Sequence, residues 1–211
     1  LLSAVITRVD TDKVFKATTK LSGYALYMKS GAAGAVPLNK ARLELTPDGK
    51  KEASEKIIST GTFLYLYVPS RTAIHQHPIE KPKEGGALDD NFLGLVFGMK
   101  AKDALDRYEL TLHKEDAHYV YVNVLPKRPA DKAEFKQARL VLNRTNYLPR
   151  QLWFEAPNGN ETLWDLPRAE VPKSIDPRYF DAPRPDPGWK LVPVARGPAA
   201  PPRVIRPAAG K

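Results

Sequence analysis

Residues 61–80 read GTFLYLYVPSRTAIHQHPIE. Two runs of aromatic and β-branched residues flank a Pro69-Ser70-Arg71 turn, the pattern of two paired strands. Side chains on a strand alternate sides, so Phe63, Tyr65 and Tyr67 point one way and Leu64, Leu66 and Val68 the other. Both faces are apolar. A sheet with one wet face would alternate with polar residues, so this stretch predicts a sheet that is covered on both sides.

Working outward, similar runs recur at short intervals and are broken by Gly, Pro, Asn and Asp, which predicts a mostly antiparallel sheet. Strands are expected near 1–9, 14–29, 40–47, 56–60, 62–69, 72–79, 107–114, 118–126, 136–143, 149–156 and 160–166. GAAGAVPLN (31–39) and KPKEGGALDD (81–90) read as loops. Asn158-Gly159 is the strongest hairpin signal in the chain, and a second hairpin turns over Lys114 to Ala117. One segment breaks the strand rhythm. In DDNFLGLVFGMKAKDALDRY (89–108), Asp89, Asp90 and Asn91 can cap a helix that puts Leu93, Val96 and Phe97 on one face, with a second short helix over Lys102 to Arg107. A short apolar helix between strands has to bury its greasy side against the sheet.

The 211 residues, 42% of them apolar, suit one sizeable core with appendages. Of the formal charge of +9, the segment from Asp181 to Lys211 holds +4, with six basic residues against Asp181 and Asp186. The remaining +5 is spread along the body, and aromatic residues share their strands with aliphatic ones. That describes an oily surface and not a stacking platform for single strands, so no nucleic-acid partner is expected. Eight prolines among the 31 residues from 181 onward predict an extended polyproline-type chain or linker that cannot build a ladder but can lie against the body through Trp189, Leu191 and Val192. The absence of cysteine excludes a disulfide framework and thiolate chemistry. No apolar run is long enough to cross a bilayer as a helix, and LLSAVITRVD opens like a strand and not like a signal core. An export signal, if one existed, is expected to have been removed.

Catalytic patterns are missing: there is no Gly-x-Ser-x-Gly elbow, no His-Glu-x-x-His and no phosphate-cradling glycine loop. Asp89-Asp90 and Glu115-Asp116 sit where caps and turns want carboxylates. His75 and His77 lie two apart on one strand face, a spacing able to chelate a metal; the plainer reading is two polar side chains on an edge strand. With no third ligand placed, no metal and no cofactor is expected. An enzyme is not expected.

The order of these pieces resembles the periplasmic lipoprotein carriers and receptors of the LolA and LolB type, nearest to an uncharacterised LolA-like family of planctomycete bacteria. The resemblance covers roughly residues 15–180. It rests on a Gly-x-aromatic-x-Tyr-x-Pro strand (Gly61, Phe63 or Tyr65, Tyr67, Pro69) and a Leu-x-Pro-Lys strand end (Leu125, Pro126, Lys127). Further on come Phe135, Ala138, Leu140 and Leu142 on one strand and the closing hairpin at Asn158, Gly159 and Thr162. The resemblance implies a curved antiparallel sheet forming an incomplete β-barrel of about 11 strands, with short helices over its concave face. It implies a domain over 1–180, whose leading helix these residues do not include, followed by a proline-rich basic tail over 181–211.

It also implies a non-enzymatic, monomeric protein of the periplasm, or otherwise exported, that shields the acyl chains of a lipid or lipoprotein without a cofactor and exchanges them with membrane-bound transfer partners. The residues expected against lipid are Phe63, Tyr65, Tyr67, Leu93, Val96, Phe97, Tyr121, Leu140, Leu142 and Trp153, with the face of Phe63, Tyr65 and Tyr67 read as concave. Arg42 is placed where the carriers hold the lid. The alternative is a structural or protein-interaction module on the same scaffold, its core filled and its proline-rich tail a docking arm.

Overall fold

The computed structural model describes residues 1–30, 38–79 and 101–194. Twelve strands form one sheet: β1 (Leu2–Asp12), β2 (Ala17–Ser30), β3 (Leu38–Pro47), β4 (Glu55–Ser59), β5 (Phe63–Val68), β6 (Ala73–Pro78), β7 (Tyr108–Glu115), β8 (Tyr119–Pro126), β9 (Gln137–Asn143), β10 (Pro149–Glu155), β11 (Glu161–Glu170) and β12 (Lys190–Pro193). Their order is β12-β6-β5-β4-β3-β2-β1-β11-β10-β9-β8-β7, open at both ends. All neighbours run antiparallel except β12, which lies parallel to β6. The expected open, curved sheet is therefore present, with β1 and β11 closing its middle. Among the described residues two short α-helices accompany it, α1 (Ala101–Arg107) and α2 (Pro129–Glu134). The expected helix carrying Leu93, Val96 and Phe97 lies outside the described residues.

Turn chemistry explains the connections. Gly159 adopts φ 85°, as the Asn158-Gly159 hairpin requires. Asp116 Oδ1 accepts from the backbone N–H groups of His118 and Tyr119 and sets the β7–β8 turn. The single strand expected over 14–29 starts later. Asp12 Oδ1 accepts from the N–H groups of Val14 and Phe15, and Lys16 takes φ 52°, so residues 13–16 turn between β1 and β2. A second correction concerns the tail. The segment after Asp181 does join a ladder, because its prolines leave Lys190 to Val192 free: Lys190 N–H donates to Thr72 O and Val194 N–H to Gln76 O, both at 2.9 Å.

One ion pair gives the direction of bending. Arg8 on β1 and Glu55 on β4 are separated by β2 and β3. In a flat sheet their backbones stand roughly 14 Å apart, three strand spacings, and side chains rise perpendicular to the sheet. Yet Arg8 Nη1 donates to Glu55 Oε2 at 2.7 Å, and Nη2 donates to Oε1. The sheet bends toward the face that carries both. Gly23 faces the same side, where a Cβ would fall 1.8 Å from the carbonyl oxygen of Glu44. Only glycine lets β3 fold this closely over β2.

Register assigns the other residues to faces, since antiparallel partners share one. The concave face carries Ala4 and Ile6, then Leu21 and Ala25, then Leu45 on one side. On the other side it carries Trp164 and Leu166, Leu152, Leu140 and Val124. These form the main buried cluster, closed at one end by Tyr108 and Phe135 beside the two helices. The convex face has its own smaller cluster of Ile58, Tyr65 and Ile74, covered by Tyr67 and Trp189. Strand β5 is apolar on both sides because its inner face belongs to the curved layer while the C-terminal segment packs on its outer one.

Candidate functional site

The concave face is an aliphatic layer with a few polar interruptions. Arg8, 6% exposed, sits where the Leu2, Ala4, Ile6 alternation would put another apolar side chain. Its Nε donates to Asp10 Oδ2 at 2.9 Å, its Nη atoms clamp Glu55, and its guanidinium lies 5.2 Å from the Trp164 ring centre. Burial opposes the charge, but Glu55 and Asp10 outweigh it and hold the Arg8 pKa above its ordinary value. The result is a charge-paired strut across the hollow, one guanidinium held by two carboxylates.

Three buried polar side-chain atoms among the described residues have no hydrogen-bond partner: Trp164 Nε1, Tyr108 Oη and His77 Nε2. Register puts all three on the concave side, in β11, β7 and β6. Native interiors pair such groups, so each is a donor or acceptor ready for something that enters the face. Burial pushes the Tyr108 phenol up to about 12. It pushes His77 down, helped by the neighbouring His75, so His77 favours its neutral form. A second buried ion pair, Arg107 with Asp131, ties α1 to α2 at the closed end.

The residues expected at the site divide between the faces. Leu140 and Leu142 point into the concave layer. Phe63, Tyr65 and Tyr67 stand on the convex face, opposite to the expected side; Tyr65 is buried against Ile58 and Ile74, and Tyr67 packs on Trp189 at 5.6 Å. Tyr121 and Trp153 also face outward, where they line a shallow groove. Leu93, Val96 and Phe97 lie outside the described residues. Arg42, on the convex face, donates through Nη1 to Tyr179 O at 2.8 Å and holds the 3-10 turn Pro177–Phe180 on that side, with Phe180 buried.

Beside Arg42, burial raises the Glu44 carboxyl, but the hydrogen bonds and charges of Lys56 and Arg42 outweigh it and keep Glu44 below the usual carboxylate range. His75 and His77 lie on the concave side with ring centres 6.3 Å apart. Among the described residues no group of three or more His, Cys, Asp or Glu is placed to hold a metal.

Arg8, Glu55, Tyr108 and Trp164 were not singled out by sequence reasoning. One signal was available: an arginine in phase with Leu2, Ala4 and Ile6 breaks the alternation and has to find a charge inside.

Comparison with known proteins bears on the fold. No family model matches the chain, and no curated protein matches it. Solved structures do. An uncharacterized conserved protein from Thermus thermophilus superposes with a TM-score of 0.53 at 10% identity, over 92% of this chain and 90% of its own. The MucA/MucB complex of Pseudomonas aeruginosa gives 0.50 at 12% identity, covering 95% of this chain and 61% of that one. A LolA superfamily protein from Nitrosomonas europaea gives 0.38 at 11% identity, over 86% and 90%. At 10–12% identity these likenesses concern the fold alone, an open antiparallel sheet of this kind. Among the described residues no helix is long and apolar enough to cross a membrane.

Proposed function

We propose that the chain is a non-enzymatic binding protein of the periplasm, or another exported compartment, that shields the acyl chains of a lipid or lipoprotein against its concave face. One observation carries this reading: an open, bent sheet turns a continuous aliphatic layer inward, and among the described residues only two short helices at one end accompany it. Moving a long acyl chain out of water is worth on the order of 10 kcal/mol at about 0.8 kcal/mol per methylene, so such a face needs no catalytic group. The unpartnered Trp164 Nε1 and Tyr108 Oη suit an amphiphile, whose polar end they meet as donors. Leu140 and Leu142 are the proposed contacts on the described strands. Leu93, Val96 and Phe97 are the proposed lid, on the strength of their helical spacing alone.

The second reading is a protein-interaction module with a filled core. What favours it is that the inner residues are already covered: Ile6, Leu45 and Leu152 are each at most 1% exposed. The likeness to MucB, solved in complex with MucA, supports it by analogy of fold.

Photo-crosslinking with a diazirine-bearing fatty acid separates the two. Under the carrier reading, label accumulates on peptides containing Leu64, Leu142 or Trp164 and is competed by unlabelled fatty acid. Label only on outward-facing peptides, or none, defeats that reading and leaves the module.

A further inference from the structure

On the convex side of the other half of the sheet, β7, β8, β9 and β10 form a groove of about 240 Å³. Its size is below that of an ordinary small-molecule pocket and too small for an acyl chain, but it matches a headgroup. Three of its lining side chains are basic, His113, Lys114 and Arg139, and none is acidic. Two are aromatic, Tyr121 and Trp153, and Gln151 adds an amide.

The charges in this groove are unusually free. Five arginines lie in strands, and four of them, Arg8, Arg42, Arg150 and Arg168, are paired with a carboxylate. Arg139 is the exception: its Nε donates to Asn123 Oδ1 at 3.1 Å, which fixes the plane of the guanidinium, while its terminal nitrogens have no acceptor among the described residues. Lys114 Nζ lies 4.3 Å from the Tyr121 ring centre and makes no ion pair with a described residue. The nearby carboxylates are committed elsewhere. Glu115 pairs with Arg144, Asp165 with Arg150 and Gln151, and Asp116, although it feels the Lys114 charge, is hydrogen-bonded to the turn backbone and the Tyr121 hydroxyl.

The backbone is also irregular here. A bulge between Leu112 and Lys114 breaks the β7–β8 register, so that the successive residues His113 and Lys114 both reach the groove. Bulges re-aim side chains, and a regular strand would have sent one of these to the far face.

We propose that this groove binds a phosphate monoester, with the terminal nitrogens of Arg139 and the Lys114 ammonium taking its oxygens and the Trp153 ring carrying the organic part it is attached to. A planar guanidinium with two free nitrogens matches a tetrahedral oxyanion, and an aromatic face beside it suits a sugar or glycerol moiety. The same chemistry is offered by a soluble sugar or glycerol phosphate and by a phosphorylated lipid headgroup. The groove faces away from the concave layer, so the proposal is independent of the acyl-binding reading and survives its failure.

The test is calorimetric titration of the whole chain with glycerol 3-phosphate, beside co-sedimentation with phosphatidylcholine vesicles that contain phosphatidic acid. Saturable binding of glycerol 3-phosphate identifies a soluble ester; sedimentation without it identifies the headgroup of a bilayer. In either case Arg139→Gln is expected to weaken binding roughly tenfold or more, the worth of one hydrogen bond to a charged group. Lys114→Gln, in an exposed side chain that packs on Tyr121 and makes no ion pair with a described residue, should weaken it comparably without touching the fold, whereas Lys20→Gln at a distance should not. Failure of both probes to bind overturns the proposal, as does an equal loss with Lys20→Gln.

Discussion

Glu55→Gln tests the bend of the sheet directly. The substitution keeps the volume and removes one charge from a pair whose side chains are only 7% and 14% exposed. Breaking a buried ion pair by removing one partner costs about 3–5 kcal/mol, because the other charge is left uncompensated. Asp10 stays 2.9 Å from Arg8 Nε and continues to neutralise part of it, which brings the expectation to the lower end, about 3 kcal/mol. For a chain of this size that is a fall in melting temperature of roughly 6–12 °C. The double variant Arg8→Met with Glu55→Leu replaces the pair by apolar volume but leaves Asp10 with the Thr162 hydroxyl and no guanidinium, so it should recover only part of the loss. Urea melts followed by circular dichroism on Arg8→Met, Glu55→Leu and the double variant give the coupling energy. A Glu55→Gln protein within about 0.5 kcal/mol of wild type would mean that the two side chains do not meet, and they would no longer mark the concave face.

Other outcomes follow from the same geometry. Gly23→Ala drives a methyl into the Glu44 carbonyl and should destabilise by about 1–3 kcal/mol, whereas Gly49→Ala meets nothing and bears only the strain of its φ of 76°; denaturation midpoints compare them. The depressed His77 pKa makes stability greatest above the unfolded value near 6.5 and lower as pH falls below it, because the unfolded chain takes up the proton first. His77→Gln should flatten the pH profile of the melting temperature in that window. The lowered Glu44 pKa acts at more acid pH: its contribution is complete above the unfolded value near 4.5 and is lost as pH falls through the folded one, so Glu44→Gln should weaken acid denaturation on that limb. Trp189→Ala removes the ring packed on Tyr67 and should speed hydrogen exchange at the Lys190 and Val194 amides roughly tenfold, the worth of an aromatic pair near 1.4 kcal/mol. Unchanged exchange there would show that β12 is held by its backbone alone.

Local chemistry was legible in the sequence wherever a single residue decides it. Asn158-Gly159 announced its hairpin, and the alternation in LSAVITRV and FLYLYV announced strands whose partners the structure supplies in order. The double-sided apolarity of β5 predicted a cover on each side, and the C-terminal segment with Trp189 is the convex one. What could not be read is what depends on the bend. From the sequence Tyr65 and Leu64 are equivalent candidates for the inner face, and only the meeting of Arg8 with Glu55, 47 residues and three strands apart, separates them. The tail was read rightly in lying against the body through Trp189, Leu191 and Val192, but its pairing was missed for a different reason. Its proline count is an average, and four residues between Gly188 and Val194 suffice to pair with β6 when an aromatic anchor precedes them.

The sense in which β12 runs has a topographic effect. Because it travels alongside β6 and not against it, its end at Val194 lies by Gln76, near the place where the chain leaves β6 after Pro78. The last 17 residues, which bring Arg196, Arg203, Arg206 and Lys211 without one acidic neighbour, are thus launched from the rim where residues 80–100 depart. An antiparallel strand would have released this positive extension at the opposite rim, beside the Pro69–Arg71 turn.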